Sequence, residues 1–164
     1  MSSRVTPAKA HSLQDKLCGY APPPVVKPMP QMLLKKHGAG TIGVPSPLQL
    51  QALIQRIPHG QLATVAELSD AVARDLGAKT GCTVTTGICA ALVAKAAAET
   101  ETLNPNAKHA TPYWRALKIG GELSAKYLGG IDGLKQRLEA EGHTVVQKRQ
   151  RFFVENFARK LIRF

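Results

Sequence analysis

Three cysteines carry the most nucleophilic side chains of this 164-residue chain, and one of them stands where a thiolate would be favoured. Cys82 directly precedes a predicted helix that begins near Thr83, and the partial positive charge at a helix N-terminus favours the thiolate form. Cys89 follows seven residues later on the same helical face, a position that equally suits packing. Together with Cys18 they form neither a disulfide framework nor the C-x-x-C spacing of a metal site. Cys82 is therefore a candidate nucleophile, and we expect neither a metal nor another cofactor.

The chain as a whole is strongly positive, and its charge is unevenly distributed along the sequence. Lys and Arg number 22 against 11 Asp and Glu, a net charge of +11. Residues 1–43 and residues 147–164 each carry six basic residues and one acidic residue, whereas residues 44–146 carry ten and nine. This excess favours a polyanionic partner, which nucleic acids, ribosomes, membrane surfaces and heparin all provide. Because no run of about 18 apolar residues occurs, we expect no membrane span.

The composition along the chain predicts three parts. Residues 1–43 are rich in proline and glycine, which favours a basic, extended arm. Residues 44–146 form the predicted domain, and residues 147–164 form a basic C-terminal extension. Caps and apolar spacing predict helices in the domain. Ser46 caps the first helix with Pro47 at its first position, Thr64 and Glu67 form a capping box for the second, which ends at Gly77, and Asp132 caps the last helix. The predicted helices are residues 47–56, 65 to about 76, 83 to about 99, and 133–141.

The second and third predicted helices are joined by a short turn with two glycines, an arrangement typical of a helix-turn-helix. The third helix presents small residues at helical spacing, which would let it approach a sugar-phosphate backbone or a groove closely. The same residues would equally pack this helix against its neighbours. They are Thr85, Thr86, Gly87, Ala90, Ala91 and Ala94. After this helix, residues 143–146 tend toward strand, and residues 151–164 predict a strand end followed by a basic amphipathic helix.

Four segments of the central part, in order, match motifs of one protein family. They are Ile57-Pro58-x-Gly60-x-Leu62-Ala63-Thr64-Val65-x-Glu67-Leu68, then Val84-Thr85-Thr86-Gly87, then Pro112-Tyr113-Trp114-Arg115-Ala116, and finally Tyr127-x-Gly129-Gly130 with Leu138-x-x-Glu141-Gly142-His143. Through these segments, residues 46–146 resemble the DNA-binding domain of the alkylguanine-DNA alkyltransferases.

The resemblance implies a mainly α fold, a winged-helix-like helix-turn-helix domain with short β segments and basic, partly flexible ends. Family members hold DNA by the minor groove and rotate a damaged guanine into a pocket beside a reactive cysteine, because an alkyl group inside a duplex is otherwise unreachable. The DNA-binding positions would be Thr64, Val84, Thr85, Thr86, Gly87, Ala90, Ala91 and Arg115. The base pocket would contain Pro112, Tyr113, Trp114, Tyr127, Gly129 and Glu141. Capping alone equally explains Thr64, and a half-buried core position equally explains Trp114.

This sequence departs from the family at the reactive motif. Tyr113 occupies the position of the cysteine and Trp114 that of the adjacent histidine, so only Glu141 of that three-residue network remains. A phenol with a pKa near 10 and an indole cannot replace a thiolate activated by imidazole. These replacements resemble the alkyltransferase-like branch, whose members bind lesions without repairing them. The arginine that fills the vacated base stack is replaced by Val84, which could act as an apolar wedge but donates no hydrogen bond.

The sequence therefore predicts a non-enzymatic protein that binds double-stranded DNA by the minor groove and senses alkylated guanine for repair proteins. We expect a monomer in the cytoplasm, nucleoid-associated if the source is bacterial, with the basic ends adding salt-dependent affinity for phosphates. Two alternatives stay open. One is a thiol-dependent alkyltransferase that uses Cys82, and the other is an RNA- or ribosome-associated binding protein.

Overall fold

The fold, taken from a computed structural model, places five α-helices and three small β-sheets in the described residues, which are 13, 17, 22–106 and 111–164. The helices are α1 (Leu34–His37), α2 (Pro47–Gln55), α3 (Val65–Leu76), α4 (Thr83–Leu103) and α5 (Gly130–Ala140). The strands are β1 (Val25–Pro28), β2 (Thr41–Val44), β3 (Ala63–Thr64), β4 (Thr80–Gly81), β5 (Ala116–Leu117), β6 (Val145–Lys148) and β7 (Arg151–Val154). Short 3-10 helices cover Gln31–Leu33, Tyr113–Arg115 and Phe157–Lys160.

The predicted caps of α2 and α3 are confirmed. The Ser46 hydroxyl accepts a hydrogen bond from the Gln49 amide at 3.1 Å, so α2 begins at the proline that follows Ser46. The Thr64 hydroxyl accepts from the Ala66 amide at 3.2 Å, and the Glu67 carboxylate accepts from the Thr64 amide at 2.8 Å. This capping box satisfies the free amides at the start of α3, which ends at a left-handed glycine as expected.

The bounds of α4 and α5 differ from the prediction at one end each. Helix α4 continues one turn beyond residue 99, and hydroxyls in its last turns donate to carbonyls four residues earlier. Helix α5 begins at Gly130, three residues before the predicted start, and Gly129 precedes it with a φ of 89°. Asp132 therefore lies inside the first turn and makes no capping hydrogen bond. Its negative charge still suits that end of the helix dipole.

The described part of residues 1–43 is folded onto the domain, which corrects the prediction of an extended arm. Strand β1 pairs antiparallel with β2, and β2 pairs parallel with β4, so these residues build a three-stranded sheet with the turn between α3 and α4. The side chains of Met29 and Ile42 are buried. Residues 1–12, 14–16 and 18–21 of the predicted arm lie outside the described residues.

The C-terminal residues form a β-hairpin, which agrees with the strand tendency predicted for residues 143–146 and the strand end predicted after residue 151. The basic amphipathic helix predicted to follow is wrong, because only a short 3-10 helix forms there. Strands β6 and β7 pair antiparallel, with Val145 opposite Val154 and Lys148 opposite Arg151. Backbone hydrogen bonds join Leu123 to Phe152 and Val154 to Gly121, so the hairpin lies beside the segment that follows β5. The predicted boundary after residue 146 falls inside β6, because alternating apolar residues of the hairpin continue the core beyond it.

Two apolar clusters form the core, and α4 contributes to both. Cys89, Ala90 and Val93 pack with residues of α2 and α3 in the first cluster. Ala94, Ala97 and Ala98 pack with residues of α5, the Tyr113–Leu123 region and the hairpin in the second. Among the described residues no helix has both the length and the apolar character needed to cross a membrane.

Candidate nucleic-acid interface

A buried carboxylate, Glu141, holds the segment of the predicted pocket to the end of α5. The Arg115 Nε atom lies 3.0 Å from each carboxylate oxygen, and its Nη2 atom donates to Oε1 at 2.7 Å. The Trp114 indole N–H donates to the same Oε1 at 2.9 Å, and the Gly60 amide donates to Oε2 at 3.2 Å. Glu141 therefore acts as a hydrogen-bond acceptor that joins three segments distant in sequence.

The electrostatics of this site favour the ionised carboxylate. Burial alone would raise the pKa of Glu141, but hydrogen bonds from Arg115, Trp114 and the Gly60 amide outweigh it, and the pKa lies below its ordinary value. The Arg115 Nη1 atom also donates to the Ile57 carbonyl at 2.6 Å. The Arg115 guanidinium thus makes its contacts within the protein, which fits the structural role that the sequence suggests for Arg115 equally with a DNA contact.

Tyr113 and Tyr127, which the sequence predicted as residues of the base pocket, are buried in the core. Both are buried, and their rings meet edge to face with centroids 5.9 Å apart. The Tyr127 hydroxyl donates to the Ala116 carbonyl at 3.2 Å. Burial raises the pKa of both phenols, so neither supplies a phenolate at neutral pH. In this conformation neither ring offers a face on which a base could stack.

Trp114 keeps a partly exposed indole, but a cation covers its ring. The guanidinium carbon of Arg137, on α5, lies 4.6 Å from the Trp114 ring centroid and 5.5 Å from that of Tyr113. Arg137 also forms an ion pair with Glu101 in the last turn of α4, with an Nη1–Oε1 distance of 3.2 Å. The extra length of α4 thus supplies the carboxylate that orients Arg137. Pro112 is half-buried just before Tyr113, and Gly129 is exposed at the start of α5.

The predicted small face of α4 divides between core and surface. Thr86 and Ala90 are fully buried, and the Thr86 hydroxyl donates to the Cys82 carbonyl at 2.8 Å. These two residues therefore pack the helix and do not reach a partner, and the same holds for Thr64, which is buried in its capping box. Three of the predicted contact residues of this helix are partly exposed. They are Thr85, Gly87 and Ala91.

The outward face of α4 is apolar. Val84 is 71% exposed, Ile88 57% and Leu92 41%, and their spacing of four residues places them in one row. Val84 was among the predicted contacts, but Ile88 and Leu92 were not, because the prediction followed the small residues. The spacing of the three branched apolar residues was the available signal. No comparable signal marks Arg137 or Glu101, whose roles depend on tertiary contacts alone.

Cys82 and Cys89 differ in environment. Cys82 directly precedes α4 as predicted, is partly exposed, and its Sγ atom lies 3.3 Å from the Thr85 hydroxyl. Cys89 is buried. Burial, and to a smaller extent the neighbouring Cys82, raises the pKa of the Cys89 thiol to about 11, so Cys89 remains a thiol at neutral pH. Cys18 lies outside the described residues.

Comparison with known proteins identifies structural neighbours but no sequence family. No family model matches the chain, and no curated protein matches it. The chain is similar to S. pombe Atl1 in complex with damaged DNA containing O6-carboxymethylguanine, with 18% identity and a TM-score of 0.49 over 72% of this chain and 94% of that one. It is also similar to S. pombe ATL in complex with DNA, with 19% identity and a TM-score of 0.46 over the same shares. Both neighbours are alkyltransferase-like proteins, the branch that the sequence motifs resemble.

Proposed function

We propose that this protein binds duplex DNA without catalysing a reaction, as a winged-helix-like protein of the alkyltransferase-like type. The supporting observation is the exposed row of Val84, Ile88 and Leu92 on α4, the second helix of the helix-turn-helix, in a chain with a net charge of +11. Aliphatic side chains enter the minor groove and wedge between base steps in architectural proteins. Helix α4 would lie in the minor groove with Val84 at the base stack.

The reactive motif favours binding over alkyl transfer. Tyr113 stands at the family position of the nucleophile, yet it is a buried phenol with a raised pKa. Trp114 stands at the position of the activating histidine, and its N–H is already given to Glu141. An indole has no basic nitrogen to accept a proton from a nucleophile. Trp114 thus donates a hydrogen bond to the Glu141 carboxylate, but the motif has neither the thiol nor the imidazole that alkyl transfer needs.

Sensing of alkylated guanine would depend on Arg137. Its guanidinium lies over the one partly exposed ring of the predicted pocket, so a flipped base could stack on Trp114 only after Arg137 moves. The contacts to displace are those of the partly exposed Arg137 with the Trp114 and Tyr113 rings and with Glu101, each worth about 1 kcal/mol or less. A base–aromatic stack of about 1–3 kcal/mol would compensate for that loss.

The test is binding to matched duplexes with and without O6-carboxymethylguanine, measured by anisotropy of labelled DNA and by fluorescence of Trp114, the single tryptophan of the chain. Ile88→Glu places a charge on the proposed contact face, and we expect at least tenfold weaker binding. Leu103→Glu is the matched control, because Leu103 is 64% exposed at the far end of the same helix. Equal loss of affinity in both variants would contradict the assignment of the contact face.

The choice of nucleic acid tests the rest of the proposal. Equal affinity for the two duplexes would remove lesion sensing and keep DNA binding. Tighter binding of structured RNA would favour the RNA-associated alternative.

A second function remains a candidate because Cys82 is partly exposed beside the start of α4. If this thiol accepts an alkyl group, incubation with alkylated DNA will increase the protein mass by that group, and Cys82→Ser will abolish the increase. An unchanged mass of the wild-type protein would exclude suicide transfer and leave the binding function.

A further inference from the structure

The hairpin of β6 and β7 has two faces of opposite character. Val145, Phe152 and Val154 lie on one face and pack against the second core cluster. Because side chains alternate along a strand, Lys148, Arg151 and Phe153 lie on the opposite face. Lys148 and Arg151 are exposed, Phe153 is partly exposed, and none of the three belongs to either core cluster. The outer face of the hairpin therefore carries an aromatic ring with two cations beside it, and the partly exposed Val146 directly opposite the ring.

The ring and the two cations form one compact group. Lys148 and Arg151 are directly opposite each other in the ladder. The Lys148 Nζ atom lies 5.5 Å from the centroid of Phe153, and the guanidinium carbon of Arg151 lies 5.8 Å from it. Contact with the ring face restrains both side chains, so positive charge is concentrated before any partner arrives.

A third cation stands at the tip of the hairpin in a backbone conformation that favours glycine. Arg149 has a φ of 59°, in the left-handed region, and is exposed in the two-residue turn between the strands. Glycine or asparagine adopts this conformation at a lower cost. The residue at this position is nevertheless an arginine. Together with Lys148 and Arg151 it places three cations within four residues at the tip of the hairpin.

The neighbouring carboxylate neutralises only part of this charge, and the hairpin is held in place. Glu122 accepts from Lys118 at 2.8 Å through one oxygen and lies 3.5 Å from Arg151 through the other. Residues 121–123 bond to β7, and they follow directly from β5 and the Trp114 segment. The cationic face is thus attached rigidly to the strand that leaves the candidate pocket.

We propose that Lys148, Arg149 and Arg151 bind the sugar-phosphate backbone of duplex DNA, as a contact separate from that of α4. The inference rests on the proposed DNA binding and adds the surface that supplies its sequence-independent part. Duplex DNA carries about one negative charge per 1.7 Å of its axis, so a compact row of cations can neutralise adjacent phosphates and release their counterions. The hairpin would then serve as the wing of the proposed winged-helix-like protein.

The test compares the full chain carrying Lys148→Gln, Arg149→Gln and Arg151→Gln with a control carrying Lys27→Gln, Lys35→Gln and Lys36→Gln. The control removes the same charge from exposed positions in β1 and α1. Each lost phosphate contact makes the slope of log K against log salt shallower by about 0.9, so the slope of the hairpin variant should become shallower by about 2 to 3. The control measures what the other basic end contributes, and we expect a change of less than about 1 there, because its lysines are not grouped on one face beside a ring. The affinity ratio between alkylated and undamaged duplex should stay unchanged, because phosphates carry no base information.

A single substitution separates binding from folding. Arg149→Gly relieves the left-handed strain, so its midpoint of thermal unfolding should not fall, while the salt slope should fall by about 1. A salt slope of the hairpin variant equal to that of the wild type, with wild-type binding intact, would overturn the hairpin contact and leave the proposed function standing. A wild-type protein that binds no duplex at any salt concentration, or binds only RNA, would overturn both.

Discussion

Replacing Glu141 by Gln removes one negative charge from the carboxylate that joins Arg115, Trp114 and Gly60 and changes the side-chain volume very little. The carboxylate accepts hydrogen bonds from Arg115, Trp114 and the Gly60 amide. A Gln side chain has one acceptor oxygen and one NH2 group at those two positions. In either orientation the NH2 group faces at least one donor, and the guanidinium loses its counterion.

The structure sets the size of the effect. The Arg115 and Glu141 side chains are 13% and 6% exposed, so water cannot replace the lost contacts. Removing one partner of a buried ion pair costs about 3 to 5 kcal/mol, and Gln recovers part of that by accepting from one side. We expect a loss of about 3 kcal/mol in the free energy of unfolding, a decrease of roughly 6 to 12 °C in the unfolding midpoint for a chain of this length.

The pH dependence has a definite sign. The pKa of Glu141 is lower in the folded protein than its ordinary value of 4.5. The ionised carboxylate therefore stabilises the fold fully above about pH 5, and this contribution is lost as the pH falls through the folded pKa. The difference between wild type and Glu141→Gln should be constant near neutral pH and should decrease below pH 4.5.

Urea unfolding followed by Trp114 fluorescence measures both effects. Glu139→Gln is the matched control on the same helix, because its carboxylate is about half exposed and lies 3.8 Å from Lys135. We expect the control to change stability by less than about 0.5 kcal/mol. If the two variants differ by less than about 1 kcal/mol at pH 7, or if their difference does not decrease in acid, the Glu141 network does not hold the site together.

Three further substitutions test packing and the covered ring. Gly81→Ala should destabilise the fold by about 3 kcal/mol, because the added Cβ would lie 2.0 Å from a backbone carbonyl oxygen of α3. Gly87→Ala places its Cβ in open space and should stabilise α4 by about 0.5 to 1 kcal/mol. Equal unfolding midpoints for these two variants would contradict the close approach at β4. Arg137→Gln should increase iodide quenching of Trp114 and change stability by only about 1 kcal/mol, because the ring contact and the ion pair of Arg137 are partly exposed. Unchanged quenching would show that Arg137 does not shield the ring in solution.

Local signals in the sequence predicted the helices of the central part well. Ser46-Pro47 and the Thr64 capping box determine where α2 and α3 begin, because the groups that satisfy their first amides lie within three residues. Gly77 ends α3 for an equally local reason. The strands were predicted less well than the helices. Strands β3, β4 and β5 have two residues each, too few to show alternation, and exist only because distant segments pair.

Three features are properties of the residue order, and the sequence determined them alone: the charge pattern, the tyrosine and tryptophan in the motif that resembles a reactive cysteine motif, and the Glu141 motif. Tertiary packing decided which of those residues face outward. It buried Thr86, Ala90 and Tyr113, left Ile88 exposed, and brought Arg137 over Trp114 from 23 positions away. A helix has a periodic face in its sequence, but the side covered by neighbours depends on how other segments pack, and that packing is a sum of contacts between residues far apart in the chain.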